Sequence, residues 1–375
     1  MIKRRKTKKI KIGYLEVGGN PPAPVSVQTM TNTNTSDVKA TVKQILSAER
    51  AGCDLIRIAV DNQKSAEAIS AIKKRTNIPI IADIHFSHLL AIKAAKFGID
   101  KLRINPGNVG RKQNESKRVR EKIIKEIADI AKKKKIPIRI GVNMGSLDPK
   151  MEEKYGRTAE AMVHSALEEI KALERHGFGD IIIAMKASDV GMTVEAYREL
   201  AKVVDYPFHV GITETGLPPS GIVKSSIGIG VLLLEGIGDT IRVSLTAPVA
   251  EEVEVGLDML RCLRLRKEGV DFISCPTCGR RYSGQKETMD LIKISKELKE
   301  ALKNEKRYIK VAVMGCSVNG LGEAKDADVG VMLKINSGEI YPLDKTKKYE
   351  VPKDKILPEM FRQIDLFFKN KKKDQ

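Results

Sequence analysis

The sequence holds no tryptophan, only five cysteines among 375 residues, and no apolar run approaching the ~18 residues that a membrane span requires. The missing apolar run argues against membrane insertion. The scarcity and odd number of cysteines, at 53, 262, 275, 278 and 316, argue against a disulfide framework. Cys53 and Cys262 stand in apolar surroundings and are expected to be packing residues. The basic start, MIKRRKTKKIKIGYLEVGG, lacks the apolar core and small-residue cleavage site of a secretory signal, so the expected compartment is the cytoplasm. A GxGxxG fingerprint after the first strand is also missing, which disfavours a doubly wound dinucleotide fold.

What is abundant is positive charge, +19 at pH 7, and the two ends supply ten of the nineteen. Such basic ends are expected to be solvated, and they lack the interleaved aromatics that stack on bases, so no nucleic acid is expected as a partner. At this length two domains are expected, because single cores stop growing near ~250 to 300 residues.

From residue 24 onward, β-branched runs alternate with amphipathic helical segments. The expected strands are 24–31, 54–60, 78–86, 101–108, 136–143, 180–188, 207–215 and 240–246. Between them lie helices such as the one opening at Ser36 or Asp37 and closing at Gly52. Eight strand-helix units over roughly 250 residues predict a TIM (β/α)8 barrel, here residues 1–265. The glycine-rich GIGVLLLEGIGD (228–239) follows a helical stretch, so it reads as close packing and a turn before the eighth strand.

Barrel active sites collect at the C-terminal strand ends. Those ends carry Arg57; Asp83 and His85; Arg103 and Asn105; Arg139 and Asn143; Lys186; Glu214; and Arg242 and Ser244. Five cations against mainly Asp83 and Glu214 leave a positive mouth suited to a phosphate or diphosphate ligand.

After one more helix and a charged hinge the composition changes. Residues 266–375 read as a small α+β domain: strand DFISCP, helix KETMDLIKISKELKEALKN, strand YIKVAVMG, a glycine-rich loop CSVNGLGEAKDAD, strands VGVML and KKYEVP, and a closing helix. Cys275 and Cys278 form a CxxC that alone fits a redox dithiol, half a zinc knuckle or part of an iron-sulfur site. Cys316 supplies a third thiol at another strand end. All five histidines lie in the barrel half, which argues against a Cys3His zinc site here. Glu323, seven residues beyond Cys316, is the candidate oxygen ligand.

The segments VQTMTNTNTSD, LRINPGN, IGVNMGSL, GIGDTIRVSLT, CPTCGR and MGCSVNGLGEAKDADVG occur in this order across nearly the whole chain. In them the sequence resembles the 4-hydroxy-3-methylbut-2-enyl diphosphate synthases of the methylerythritol phosphate route to isoprenoids. The resemblance implies one [4Fe-4S] cluster per chain, held by Cys275, Cys278, Cys316 and Glu323. It implies diphosphate-binding cations at Arg57, Arg139, Lys186 and Arg242, with Asn143 and Ser244 nearby, and a proton donor at Glu214. Asp83, His85, Arg103 and Asn105 are added from the strand-end argument alone.

The implied reaction is two-electron reductive ring opening and dehydroxylation of 2-C-methyl-D-erythritol 2,4-cyclodiphosphate, with flavodoxin or ferredoxin as donor and a head-to-tail homodimer as the working unit. Leu321 stands where the family commonly has proline. Fewer than thirty residues separate Thr246 from Cys275, so the long inserted domain of some members is absent. Two other readings compete: a non-redox, pterin-type diphosphate-binding barrel, which leaves the three cysteines and Glu323 without a role, and a zinc-dependent nucleic-acid module, which leaves the cationic mouth unexplained.

Overall fold

The computed structural model describes residues 2–85, 87–105, 117–278, 291–303, 305–342 and 347–371. The chain divides into two compact units, Met1–Arg266 and Lys267–Gln375.

In the first unit, eight parallel strands alternate with helices. In chain order they are β3 (Ser26–Met30), α1 (Val38–Arg50), β4 (Leu55–Ala59), α2 (Gln63–Lys73), β5 (Ile80–Ile84), α3 (His88–Lys96), β6 (Lys101–Ile104), α4 (Lys117–Lys134) and β7 (Ile138–Asn143). There follow α5 (Pro149–Tyr155), α6 (Ala159–Arg175), β8 (Ile181–Lys186), α7 (Val190–Ala201), β9 (His209–Val210), α8 (Ser220–Leu234), β10 (Thr240–Ile241) and α9 (Val249–Cys262). The sheet runs β8-β7-β6-β5-β4-β3-β10-β9, and a parallel bridge between Ile183 and Phe208 joins its two ends into a barrel. Isoleucine and valine dominate these strands because both faces are buried, one by the helical ring and one by the barrel interior. All eight expected strands are present. The ends of two of them, Phe86 and residues 106–108, lie outside the described residues.

The helices start where side chains can satisfy their first N–H groups. Asp37, rather than Ser36, accepts from the Ala40 N–H at 3.0 Å, and Asn62, Thr158 and Asp189 cap α2, α6 and α7 in the same way. Gly52 closes α1 at φ 94°. The turn from α8 into β10 uses Gly236 and Gly238 at positive φ, as the glycine pattern implied. Among the described residues no helix is long and apolar enough to cross a membrane.

The basic N-terminal stretch is not solvated as expected. It forms a hairpin, β1 (Lys9–Ile12) paired antiparallel with β2 (Leu15–Gly18). Ile10, Ile12 and Val17 pack on Leu55, Ile81 and Ile182, at or near the N-terminal ends of their barrel strands, so the hairpin plugs the barrel floor. Arg4 pairs with buried Asp239 at 2.9 Å, and the Arg5 guanidinium lies 4.1 Å from the Phe208 ring centroid. Alternation of Lys with Ile over residues 8–12 is the strand signal that the charge obscured.

Cys53 is a packing residue as expected: it is buried, and burial pushes its thiol up to about 12. Cys262 corrects its expectation, for it is exposed. The core stripe of α9 runs through Val253, Gly256, Leu257 and Leu260, and two further residues rotate Cys262 to the outer face.

The second unit contains β11 (Val270–Ser274), α10 (Leu291–Leu302), β12 (Ile309–Met314), α11 (Ser317–Asp326), β13 (Val329–Leu333), β14 (Ser337–Tyr341), β15 (Tyr349–Pro352) and α12 (Ile356–Lys371). Its sheet follows chain order, with β11, β12 and β13 parallel and β14 and β15 antiparallel. The expected start of α10 lies outside the described residues. Two differences from expectation stand out. SGEIY forms the unforeseen β14, and the expected glycine-rich loop after Cys316 is helix α11. Its Gly320 serves packing rather than a turn: a Cβ there would lie 3.0 Å from Met314 Cβ, so helix and strand approach closely.

Candidate active site

Strand pleating turns alternate residues into the barrel. On β4 to β7 this selects Arg57, Asp83, Arg103, Arg139, Gly141 and Asn143. From β8 to the end of β10 it selects Ala184, Lys186, His209, Gly211, Arg242 and Ser244. At the C-terminal end they surround a cavity of about 140 Å³, lined by Arg57, Asp83, His85, Arg103, Arg139, Asn143, Lys186, Arg242 and Ser244 together with Thr213. Nine of the eleven barrel-mouth residues expected from the sequence thus converge. Asn105 does not line the cavity. It is buried, and its amide donates to Ser146 Oγ at 2.7 Å. Nor does Glu214, which is exposed on the loop after β9 in the left-handed region, φ 54°.

Charge in this cavity is unbalanced. Arg103 reaches Asp83 at 3.1 Å, and Arg57 reaches it at 3.6 Å. Burial by itself raises the Asp83 carboxyl, but the two guanidinium groups outweigh it and hold the acid well below the usual carboxylate range. Arg242 lies 3.6 Å from Glu252, which also accepts from Thr29 and from the Leu245 N–H at 2.9 Å. Arg139, 1 % exposed, donates to the neutral Gln28 carbonyl at 3.1 Å. Lys186 lies 3.4 Å from the His209 ring nitrogen. Burial, then repulsion from neighbouring cations, lowers the pKa of Arg139 and of Lys186 well below their ordinary values; burial brings Arg57 to about 9 despite Asp83. Five cations therefore face two acids among the described residues. Concentrated positive charge in a low-dielectric pocket is costly unless an anion joins it.

Two glycines make room for this charge. A Cβ on Gly141 would lie 2.4 Å from Arg103 Nε, and one on Gly211 would lie 2.7 Å from Lys186 Nζ and 2.4 Å from the Arg242 carbonyl oxygen. Gly141→Ala is expected to push Arg103 off Asp83 and to destabilise the barrel by about 1–3 kcal/mol, the usual cost of overpacking. Denaturant unfolding measures it, and an unchanged midpoint would show that the arginine relaxes freely.

Several polar groups here escaped the sequence reading. The acid that counters Arg242 is Glu252, in the first turn of α9, and not Glu214. An acid at a helix start reads as a dipole partner, so nothing in the sequence marked it. Gln28 and His209 sit in apolar strand runs, and inward pleat alternation was the signal available for both.

In the second unit, Cys275 follows β11 and Cys316 follows β12 after Gly315. The Ser274–Val313 register sets these two strand ends side by side. A Cβ on Gly315 would lie 3.8 Å from Cys275 Sγ, so the backbone leading to Cys316 passes beside that thiol. Cys316 is the N-cap of α11, the helix end that favours negative charge. Glu323, exposed, lies two turns along the same helical face. Thr277, within the CxxC, has φ 57°. Among the described residues no three His, Cys, Asp or Glu side chains stand at metal-holding distance. The donor set nevertheless suits an iron-sulfur group, with soft thiols from neighbouring strand ends and one hard carboxylate on α11.

Comparison with known families decides what this pairing of units is. The GcpE TIM-barrel domain matches residues 7–257 and the GcpE protein C-terminal domain matches residues 271–366. The chain belongs to the GcpE family. Curated GcpE relatives named 4-hydroxy-3-methylbut-2-en-1-yl diphosphate synthase (flavodoxin) match over almost their full lengths. That of Caldanaerobacter subterraneus subsp. tengcongensis is 50 % identical, covering 98 % of this chain and 99 % of its own. That of Fusobacterium nucleatum is 47 % identical, with 98 % and 99 % covered. The solved dihydropteroate synthase of Yersinia pestis is 10 % identical at a TM-score of 0.48, covering 68 % of this chain and 98 % of its own, a likeness too slight to bear on function.

Proposed function

We propose that this GcpE chain is a 4-hydroxy-3-methylbut-2-enyl diphosphate synthase. It opens the ring of 2-C-methyl-D-erythritol 2,4-cyclodiphosphate and removes one hydroxyl as water, consuming two electrons and two protons. The observation that carries the substrate half of this reading is the buried cavity in which five cations face two acids.

Among the described residues no acid hydrogen-bonds Arg139 or Lys186, so their charge is directed at the substrate diphosphate. Arg57 and Arg103 are held in place by Asp83, and Arg242 by Glu252, which preorganises their donors before substrate arrives. Asn143 and Ser244 hydrogen-bond the same anion. Glu214 supplies a proton to the departing hydroxyl oxygen. Its exposed loop position, next to the cavity-lining Thr213, lets it recover a proton from solvent after each turnover.

Cys275, Cys278, Cys316 and Glu323 would hold one [4Fe-4S] cluster per chain, and that cluster would deliver electrons received from flavodoxin or ferredoxin. The catalytic unit is a head-to-tail homodimer in the cytoplasm. Reduced flavodoxin and the cyclic diphosphate are expected to give the linear allylic diphosphate and water, followed by phosphorus and proton NMR; an untouched cyclic diphosphate would sink the reading. Protein purified without oxygen is expected to be brown, with about four irons and four sulfides per chain. A colourless chain holding one zinc would point to a binding module instead.

A further inference from the structure

Lys186 projects into the cavity from β8, yet its ammonium group has no acid beside it. Its neighbour at 3.4 Å is Nε2 of His209, a fully buried ring on β9. The other ring nitrogen, Nδ1, lies 2.6 Å from Thr240 Oγ1 on β10, directly across the strand register. The backbone of His209 is fixed as well: Tyr197 donates from its hydroxyl to the His209 carbonyl at 2.6 Å while accepting from the Met185 N–H at 2.9 Å. Gly211, two residues after His209, leaves the space that Lys186 Nζ occupies.

We propose that His209, oriented by Thr240, is a positioning residue for Lys186: Nδ1–H donates to the Thr240 hydroxyl, Nε2 accepts from the Lys186 ammonium group, and the cation is thereby aimed at a diphosphate in the barrel mouth. This rests on the reading of that mouth as an anion site and goes beyond it, because neither His209 nor Thr240 lines the cavity. Only a neutral imidazole can accept from an ammonium group. Burial first, then Arg139, Lys186, Lys101 and Arg57, keeps the His209 pKa well below 6.5, so the ring is neutral and remains an acceptor.

The arrangement links anion capture to a proton. Burial first, then Arg242, Arg139, Arg57 and Arg103, lowers Lys186. A bound diphosphate opposes those cations and raises Lys186 again, so binding takes up a proton and affinity falls as pH rises through the lowered value.

Calorimetry of inorganic diphosphate binding to the full-length holoenzyme, in two buffers of different ionisation enthalpy, tests this. The ligand's own titration is common to all variants, so differences among them report the protein. Thr240→Val and His209→Leu are each expected to weaken binding about tenfold, as loss of a hydrogen bond to a charged group does, and to reduce the proton uptake. Thr240→Ser, which keeps the hydroxyl, is expected to recover what Thr240→Val loses. Thr240→Val is nearly isosteric, so it decides the matter even if His209→Leu does not fold. If Lys186→Met weakens binding while Thr240→Val keeps the affinity and proton uptake of the unaltered chain, the positioning pair is overturned and the anion site stands. If Lys186→Met binds diphosphate as the unaltered chain does, the anion reading fails with it.

Discussion

Arg139→Met is expected to make the chain more stable and nearly inactive. Arg139 is an almost fully buried cation whose hydrogen-bond partner is a neutral amide, and Arg57 and Arg103 repel it. Methionine fills a similar volume without charge. Replacing buried ionic groups by apolar side chains of like size is often neutral or stabilising, by up to about 4 kcal/mol, and a cation without an acid partner lies at the stabilising end. The same change removes a guanidinium fork from the proposed diphosphate site. A preorganised donor of that kind contributes roughly 10²–10³ to turnover, and kcat/KM is expected to fall by about that factor. Urea unfolding and steady-state kinetics on one preparation measure both. A variant that is less stable than the unaltered chain would mean that Arg139 has a structural anion or acid partner, and that the cavity is not held under repulsion for substrate.

If Glu323 is the proposed oxygen ligand, Glu323→Ala is expected to separate cluster holding from chemistry. Cys275 and Cys316 come from adjacent strand ends, whereas Glu323 is exposed two helical turns away. Thiolates dominate iron-sulfur ligation, so three cysteines are expected to retain most of the iron when the carboxylate is lost. Turnover is expected to drop by about 10² or more, the range over which acid or ligand groups at a metal centre act. Iron and sulfide analysis beside turnover gives the two numbers. Unchanged turnover would remove Glu323 from the site, and loss of all iron would make it a structural ligand rather than a tuning one.

Much of the barrel was legible because its signals are local. A strand buried on both faces must be rich in Ile and Val, and a charged residue inside such a run, as in LIRIA, KLRI or IRIGVN, has to meet a partner or a ligand. Nine polar residues chosen at the ends of such runs line one cavity. The errors share a cause too. Lys8 to Lys11 were read by charge, although Ile10 and Ile12 alternate with lysine and plug the floor. CSVNGLGEAKDAD was read by its glycines, although close packing of Gly320 on Met314 lets the segment stay helical. Local composition does not register what a segment packs against.

By itself the sequence determined the order of the eight barrel strands, the inward pattern of cations and the pairing of a barrel with a cysteine-bearing domain, since these follow from periodicity and residue chemistry along the chain. Only the tertiary structure decided that Glu252 rather than Glu214 answers Arg242, that Asn105 turns to Ser146 and that His209 and Thr240 stand behind Lys186. Those contacts join residues up to 41 positions apart, and their existence depends on barrel closure and strand register, which set distances that no single stretch of sequence contains.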